Sequence, residues 1–212
     1  ALLAEYTVVR GVEVTGLPFN QYAGPGPGAG ATEAIVAWLT EAIDVAANYG
    51  RFVHMPLAKL AWPRIMANVS CAPLYAKLRE RADYVVPSCL HRGPHNLARM
   101  SALLGLWLEG AAAAWGVAAD ARWYTDAWFV RPGVSGRPGE SASIPAGLYR
   151  AMILNGAMCG AVVYAFPHDA DLWFGAHRHH WEQAILPTLR HVLDAGLVAR
   201  RDFVEDRVRV AY

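Results

Sequence analysis

The residues that could do chemistry lie near the carboxyl ends of the predicted strands, within the last residues or in the loops that follow. Carboxylates, imidazoles and indoles recur at these points, whereas the only lysines in the chain are Lys59 and Lys77. The set comprises Glu13, His54, His91, His95, Asp126, Trp128, His168, Asp169, Asp171 and Trp173. Because parallel-sheet folds bind ligands at the carboxyl ends of their strands, these side chains are predicted to surround one site. Indoles beside carboxylates suit a sugar, whose ring face stacks while its hydroxyls form hydrogen bonds.

Several aromatic and acidic residues also have purely structural explanations. Trp107 and Trp115 lie in an apolar stretch and are predicted to be core residues. Trp128 and Trp173 lie in polar loops, where ligand stacking and packing are both open. Glu13 can point to either face of its sheet, because a shift of one residue in register exchanges the two faces.

Metal binding receives little support from the spacing of the histidines. His177, His179 and His180 open a helix without an accompanying carboxylate motif, so they are predicted to be solvated surface residues. We therefore predict neither a metal nor any other cofactor. A metal-dependent hydrolase built on His54, His91 and His168 is kept as an alternative.

Strands and helices alternate along the chain. Runs rich in β-branched and aromatic residues predict strands, and apolar residues at 3–4-residue spacing predict helices. The predicted strands are 6–15, 51–55, 83–90, 122–125, 161–166 and 207–212. The predicted helices are 32–49, a segment at Pro63, 73–81, 96–114, one beginning near Pro145, and 181–193 with a step at Pro187. The glycine- and proline-rich run at 24–30 is predicted to be a loop.

This alternation predicts an α/β fold with a parallel sheet covered by helices. An open doubly wound sheet and a (β/α) barrel both fit, but no glycine-rich dinucleotide fingerprint follows a strand, which disfavours the first. A complete barrel has eight strands and about 250 residues. The chain has 212 residues. We therefore expect residues 1–212 to form a single (β/α) TIM-like barrel domain, a fragment or reduced barrel lacking some N-terminal βα units.

Composition excludes several classes of partner. The chain is 55% hydrophobic and 17% charged, which excludes general disorder. A net charge of +1 argues against nucleic acid and anionic membranes as partners. The apolar runs are shorter than the ~20 residues of a membrane-spanning helix. The three cysteines have no metal-type spacing and are predicted to be free thiols. The cellular compartment is left unknown.

Apolar and aromatic segments in the second half of the chain resemble glycoside hydrolase family 98. The segments that carry the resemblance are 103–110, 114–117, 123–129, 163–173, 181–187 and 208–212. The resemblance implies a (β/α) barrel and an inverting endo-β-galactosidase that acts on fucosylated, blood-group-like glycans. An inverting enzyme uses one carboxylic acid to protonate the leaving oxygen and a second carboxylate to activate water.

Asp126 lies in a family-like segment, which implies a catalytic role for it. Glu13 or Asp169 is the expected partner in the acid and base roles. The remaining candidates are predicted to bind the sugar: His54, His91, Trp128, His168 and Trp173.

The chain departs from the family pattern where catalytic carboxylates are expected. Gly16 stands where the pattern implies a glutamate after the strand 12–15, and Pro167 stands where another is implied. Ala113 and Ala114 occupy a point where the pattern implies an acidic residue. A catalytically inactive glycan-binding or structural module of the same fold is therefore the alternative to a glycosidase.

An incomplete barrel also bears on the oligomeric state. Its outermost strands have unpaired backbone groups. We therefore expect the chain to associate with another copy of itself or with a missing N-terminal segment.

Overall fold

The computed structural model describes residues 8–15, 17, 29–57, 61–91, 100–119, 146–166 and 178–207. The strands are β1 (Gly11–Glu13), β2 (Phe52–Leu57), β3 (Val85–His91), β4 (Gly116–Ala119) and β5 (Val163–Ala165). The helices are α1 (Ala29–Asn48), α2 (Ala61–Ala67), α3 (Ala72–Glu80), α4 (Met100–Leu108), α5 (Ala146–Met158), α6 (Arg178–His180), α7 (Leu186–Asp194) and α8 (Arg201–Glu205). Short 3₁₀ turns span Val69–Cys71 and Ala82–Tyr84, and a π-helical turn spans Trp181–Ile185.

The strands follow the chain order in the sheet, β1-β2-β3-β4-β5. β1 pairs in parallel with β2, with Glu13 opposite His54. β2 pairs in parallel with β3, with His54 opposite Val86 and Pro56 opposite Ser88. Strands that alternate with helices and pair in parallel confirm the predicted α/β class.

Strand β2 is buried on both faces, as expected of a strand in a helix-covered parallel sheet. Successive side chains alternate between the faces, so Val53, Met55 and Leu57 share one face and His54 and Pro56 share the other. Register partners in adjacent parallel strands lie on the same face. Glu13, His54 and Ser88 are thereby placed on one face of the sheet.

A glycine permits the close pairing of β1 with β2. A Cβ atom on Gly11 would lie 2.6 Å from the Phe52 ring and 2.7 Å from the Phe52 carbonyl oxygen. Any larger residue there must push β1 away from β2. The position of Glu13, two residues later on the same short strand, therefore depends on Gly11.

The chain divides into two compact units, Ala1–Cys89 with Arg99–Gly116, and Leu90–Ala98 with Val117–Tyr212. In the first unit, α1 packs on β2 and α3. The fully buried side chains on these elements are Leu39, Ile43, Met55, Leu74 and Leu78. This apolar layer supports β2 from the helical side.

The core of the second unit is built from α5, the π-helical turn and α7, which pack on one another. Tyr149 and Ile185 are fully buried there. The ring centroid of Tyr149 lies 5.3 Å from that of His180. His180 is only 1% exposed, so the prediction of a solvated histidine is wrong at this position, because the ring packs in this aromatic cluster.

Several element boundaries differ from the predictions. α1 begins at Ala29 rather than Thr32. α4 ends at Leu108 rather than Ala114, and Gly110 follows with φ at +80°. Strand β4 and helix α8 were not predicted. The predicted helix 181–193 consists of the π-helical turn followed by α7, and Pro187 is the second residue of α7.

The cysteines agree with the prediction of free thiols. Cys71, Cys89 and Cys159 are all unbridged. Burial raises the pKa of the Cys71 and Cys159 thiols, which keeps both in the unreactive neutral form. Within the described ranges, no helix is both long enough and apolar enough to cross a bilayer.

The role of Gly11 can be tested by a pair of glycine-to-alanine substitutions. We expect Gly11→Ala to destabilise the protein by about 1–3 kcal/mol, because the new methyl group overpacks the β1–β2 contact. Gly147, where a Cβ would meet nothing within 4 Å, is the matched control. Gly147→Ala should be neutral or stabilising by up to about 1 kcal/mol. Denaturant unfolding measures both, and an unchanged stability for Gly11→Ala contradicts the close-contact explanation.

An ion-pair cluster between α1 and α3 makes the stability depend on pH. Asp44 accepts from Lys77 Nζ at 2.9 Å and from Arg81 Nε at 2.9 Å, and the Lys77 hydrogen bond is the main cause of its lowered pKa. A lowered folded-state pKa stabilises the protein above the unfolded value of 3.8, and this stabilisation is lost as the pH falls through the folded-state pKa.

We expect Asp44→Asn to lower the melting temperature near neutral pH and to have progressively less effect below about pH 4. Thermal unfolding across this pH range measures the difference. Glu41→Gln, on the same helix, is the control, because Glu41 forms no ion pair with any described residue. A melting-temperature difference for Asp44→Asn that is independent of pH contradicts this assignment.

Candidate functional site

The candidate site begins with a carboxylate at the carboxyl end of β1. Glu13 is the last residue of that strand and lies opposite His54 of β2. Two backbone hydrogen bonds hold the strands together around this pair: Val14 N–H donates to the His54 carbonyl at 2.9 Å, and Phe52 N–H donates to the Arg10 carbonyl at 3.2 Å. The Glu13 backbone is therefore fixed on both sides.

A chain of side-chain hydrogen bonds runs across β1, β2 and β3. His54 Nδ1 lies 2.8 Å from Glu13 Oε2, and His54 Nε2 lies 2.8 Å from Ser88 Oγ. His54 is 5% exposed and Ser88 is fully buried. The Glu13 side chain, in contrast, is 45% exposed. These hydrogen bonds connect the buried Ser88 hydroxyl, through the buried His54 imidazole, to the solvent-accessible Glu13 carboxylate.

Trp62 of α2 anchors the buried end of this chain. Its indole Nε1 donates a hydrogen bond to the Ser88 carbonyl oxygen at 2.8 Å, and the residue is 2% exposed. This contact ties α2 to β3 at the residue that also contacts His54. A bulky, fully packed indole leaves Ser88 little freedom to move.

The order of hydroxyl, imidazole and carboxylate matches the connectivity of nucleophilic catalytic triads. A nucleophile must reach the substrate, however, and the Ser88 hydroxyl is fully buried in the middle of β3. The accessible end of the chain is the Glu13 carboxylate. The arrangement therefore suits proton transfer by a carboxylate rather than acyl transfer by a serine.

The structure brings together two of the predicted site residues, Glu13 and His54. His91 is the last residue of β3. The other predicted residues lie outside the described residues: His95, Asp126, Trp128, His168, Asp169, Asp171 and Trp173. Sequence reasoning did not assign Ser88 a role. Ser88 lies two residues after Val86, the register partner of His54, and therefore on the same face of the sheet as His54. This position would have indicated a role for Ser88 if the strand register had been known.

The described residues provide no set of metal ligands around Glu13 and His54. In the part of the chain that the structure describes, no group of three or more His, Cys, Asp and Glu side chains could hold a metal ion. His54, which the metal-hydrolase alternative requires, has both ring nitrogens within hydrogen-bond distance of Glu13 and Ser88.

The sequence matches the profile of the family described as Glycosyl hydrolase family 98 over residues 4–196. The chain therefore belongs to this family. Among curated protein sequences, none matches it significantly.

Solved structures of the catalytic module of a family 98 glycoside hydrolase from Streptococcus pneumoniae TIGR4 are similar to this chain, each at 18% identity. The native form has a TM-score of 0.73, and the complexes with the H-disaccharide and the LewisY pentasaccharide blood group antigens have 0.74 and 0.72. This chain is covered over 99% and spans 36–37% of those modules. The likeness confirms the predicted (β/α)-barrel type of fold.

The contribution of the buried hydrogen-bond chain to stability can be measured with Ser88→Ala. We expect a loss of about 1–3 kcal/mol, because the substitution leaves His54 Nε2 buried without its partner. Ser70→Ala is the control, because among the described residues only the backbone N–H of Ser70, and not its hydroxyl, makes a hydrogen bond. The control should change the free energy of unfolding by no more than about 0.5 kcal/mol. Equal effects of the two substitutions contradict a stabilising Ser88–His54 contact.

Proposed function

We propose that this protein is a glycoside hydrolase that cleaves complex, fucosylated glycans of the blood-group type with inversion at the anomeric carbon. The observation that carries the proposal is the Glu13 carboxylate. It lies at the carboxyl end of a parallel strand, is 45% exposed, and is held through one oxygen by a buried imidazole. Such a group can exchange a proton with a substrate while its orientation stays fixed.

An inverting reaction needs a second carboxyl group. One of the two protonates the leaving oxygen, and the other removes a proton from the water that attacks the anomeric carbon, at a separation of about 6.5–9.5 Å. We propose that Asp126 pairs with Glu13, with Asp169 as the alternative partner. Trp128 and Trp173 would stack on sugar rings, and His91 and His168 would hydrogen-bond their hydroxyls.

Family membership supports carbohydrate as the ligand. The similar pneumococcal module has been solved in complex with blood group oligosaccharides. Because this chain spans about 37% of that module, its substrate is a proposal in its own right.

A glycan-binding module without catalytic activity is the second candidate. The observation that favours it is the replacement of expected carboxylates by Gly16, Ala113, Ala114 and Pro167. This candidate keeps the same ligand class but needs no acid–base pair. Binding and cleavage must therefore be measured separately.

We expect the protein to release reducing ends from blood-group H and LewisY oligosaccharides. Glu13→Gln and Asp126→Asn should each lower the rate at least about 100-fold, because general acid and base groups contribute about 10²–10⁴ to the rate. Both changes keep the size of the side chain, so glycan binding should persist. A reducing-end assay and a glycan array measure the two properties, with Glu41→Gln as the carboxylate control.

The outcomes separate the two candidates. Binding without release by the unsubstituted protein supports the inactive glycan-binding module. Release that is unaffected by Glu13→Gln removes Glu13 from the mechanism. Neither binding nor release across the array overturns the proposed carbohydrate function.

A further inference from the structure

We infer that His54 and Ser88 are positioning residues that hold Glu13 as the base of the proposed hydrolysis. The inference deepens the proposed function and rests on it. It assigns His54 to the support of Glu13 rather than to the sugar, and it gives Ser88 a role that its sequence context does not suggest.

The numbers of donors and acceptors on Ser88, His54 and Glu13 determine which group donates each hydrogen bond. A serine hydroxyl has one proton, and within the described residues the Ser88 hydroxyl has His54 Nε2 as its hydrogen-bond partner. When that proton points to Nε2, Nε2 is the acceptor and the neutral imidazole carries its proton on Nδ1. Nδ1–H then donates to Glu13 Oε2. In this arrangement the Ser88 hydroxyl, both ring nitrogens of His54 and the Glu13 carboxylate each have a hydrogen-bond partner.

If the direction of these hydrogen bonds were reversed, the Ser88 hydroxyl proton would have no acceptor among the described residues. If Nε2–H donated to Ser88 Oγ, the hydroxyl proton would need another acceptor in a fully buried environment, and the described residues offer none. An unpaired buried donor costs about 1–3 kcal/mol. The Nδ1–H form is therefore favoured, and with it a Glu13 carboxylate that accepts through Oε2.

Burial and hydrogen bonding restrict the His54 imidazole to one orientation. His54 is 5% exposed, its backbone is paired with both neighbouring strands, and Ser88 is held by the Trp62 indole. The ring cannot turn without breaking two hydrogen bonds. Glu13 therefore presents its carboxylate in one geometry, and small errors in geometry are costly, since about 1 Å of displacement can lower a rate about a hundredfold.

A carboxylate held as an acceptor suits the base rather than the acid. In the step, an O–H bond of water breaks and its proton goes to Glu13, while the water oxygen forms a bond to the anomeric carbon. The bond from that carbon to the leaving oxygen breaks, and the acid of the proposed pair protonates the leaving oxygen. No other reactant is required.

The positioning role is tested in solution by the nitrogen shifts of His54 and by variant kinetics. Nitrogen-15 NMR of the histidine rings identifies the protonated nitrogen, and the signal missing in His54→Asn assigns His54 among the eight histidines. We expect protonation on Nδ1 in the unsubstituted protein. Ser88→Ala should increase the Nε2-protonated form, because Nε2 loses its donor.

Kinetics of three variants separate positioning from a purely structural role. His54→Leu should lower kcat about 10–100-fold with little change in KM, because a displacement of about 1 Å can lower a rate about a hundredfold. His54→Asn should recover part of kcat, because its amide can still donate near the Nδ1 position. Ser88→Ala should fall between the unsubstituted protein and His54→Leu.

Azide distinguishes a base from an acid at Glu13. Azide is already an anion and needs no proton removed, so it should restore turnover to Glu13→Ala by forming a glycosyl azide while the acid protonates the leaving oxygen. Failure of azide, together with rescue by a substrate that has an activated leaving group, overturns the base assignment.

The remaining outcomes are also decisive. A His54 ring protonated on Nε2 and not on Nδ1 in the unsubstituted protein overturns the positioning role, whatever the activity, and so does an unchanged kcat in a folded His54→Leu variant. If the unsubstituted protein cleaves no glycan, the proposed function and the base role are overturned together, and the NMR result alone then decides whether Ser88 and His54 orient Glu13.

Discussion

The site depends on one constraint, which is that a buried imidazole must have partners for both ring nitrogens. His54 meets this requirement through Glu13 on one side and Ser88 on the other, at 2.8 Å each. The backbone pairing of three neighbouring strands places both partners within hydrogen-bond distance of the ring. A carboxylate that solvent can reach thereby acquires a defined orientation from groups that solvent cannot reach.

The rest of the first unit maintains this arrangement. Gly11 lets β1 approach β2 so closely that Glu13 meets His54, and the Trp62 indole fixes Ser88 from α2. On the helical side, α1 packs its apolar side chains on β2 and α3. Apolar packing on the α1 face holds β2 in place. Hydrogen bonds on the opposite face orient the side chains that point away from α1.

Much of the architecture could be predicted from the sequence, because the periods of apolar residues differ between helices and strands. α1, β2 and β3 follow this rule closely. β4 was missed, because four small apolar residues after an apolar helix have no alternation that distinguishes them. The identity of Glu13 as a candidate was predictable, but its face and its connection to Ser88 were not, because strand register is set by distant parts of the chain.

The most direct measurement of the proposed mechanism is a crystal structure of the protein with a blood-group H oligosaccharide bound. The proposal predicts the glycosidic bond between the Glu13 and Asp126 carboxyl groups, at a separation of about 6.5–9.5 Å, with a water beside Glu13 on the face opposite the leaving group. A glycan bound away from Glu13, or no second carboxyl group across the bond from it, contradicts the proposal.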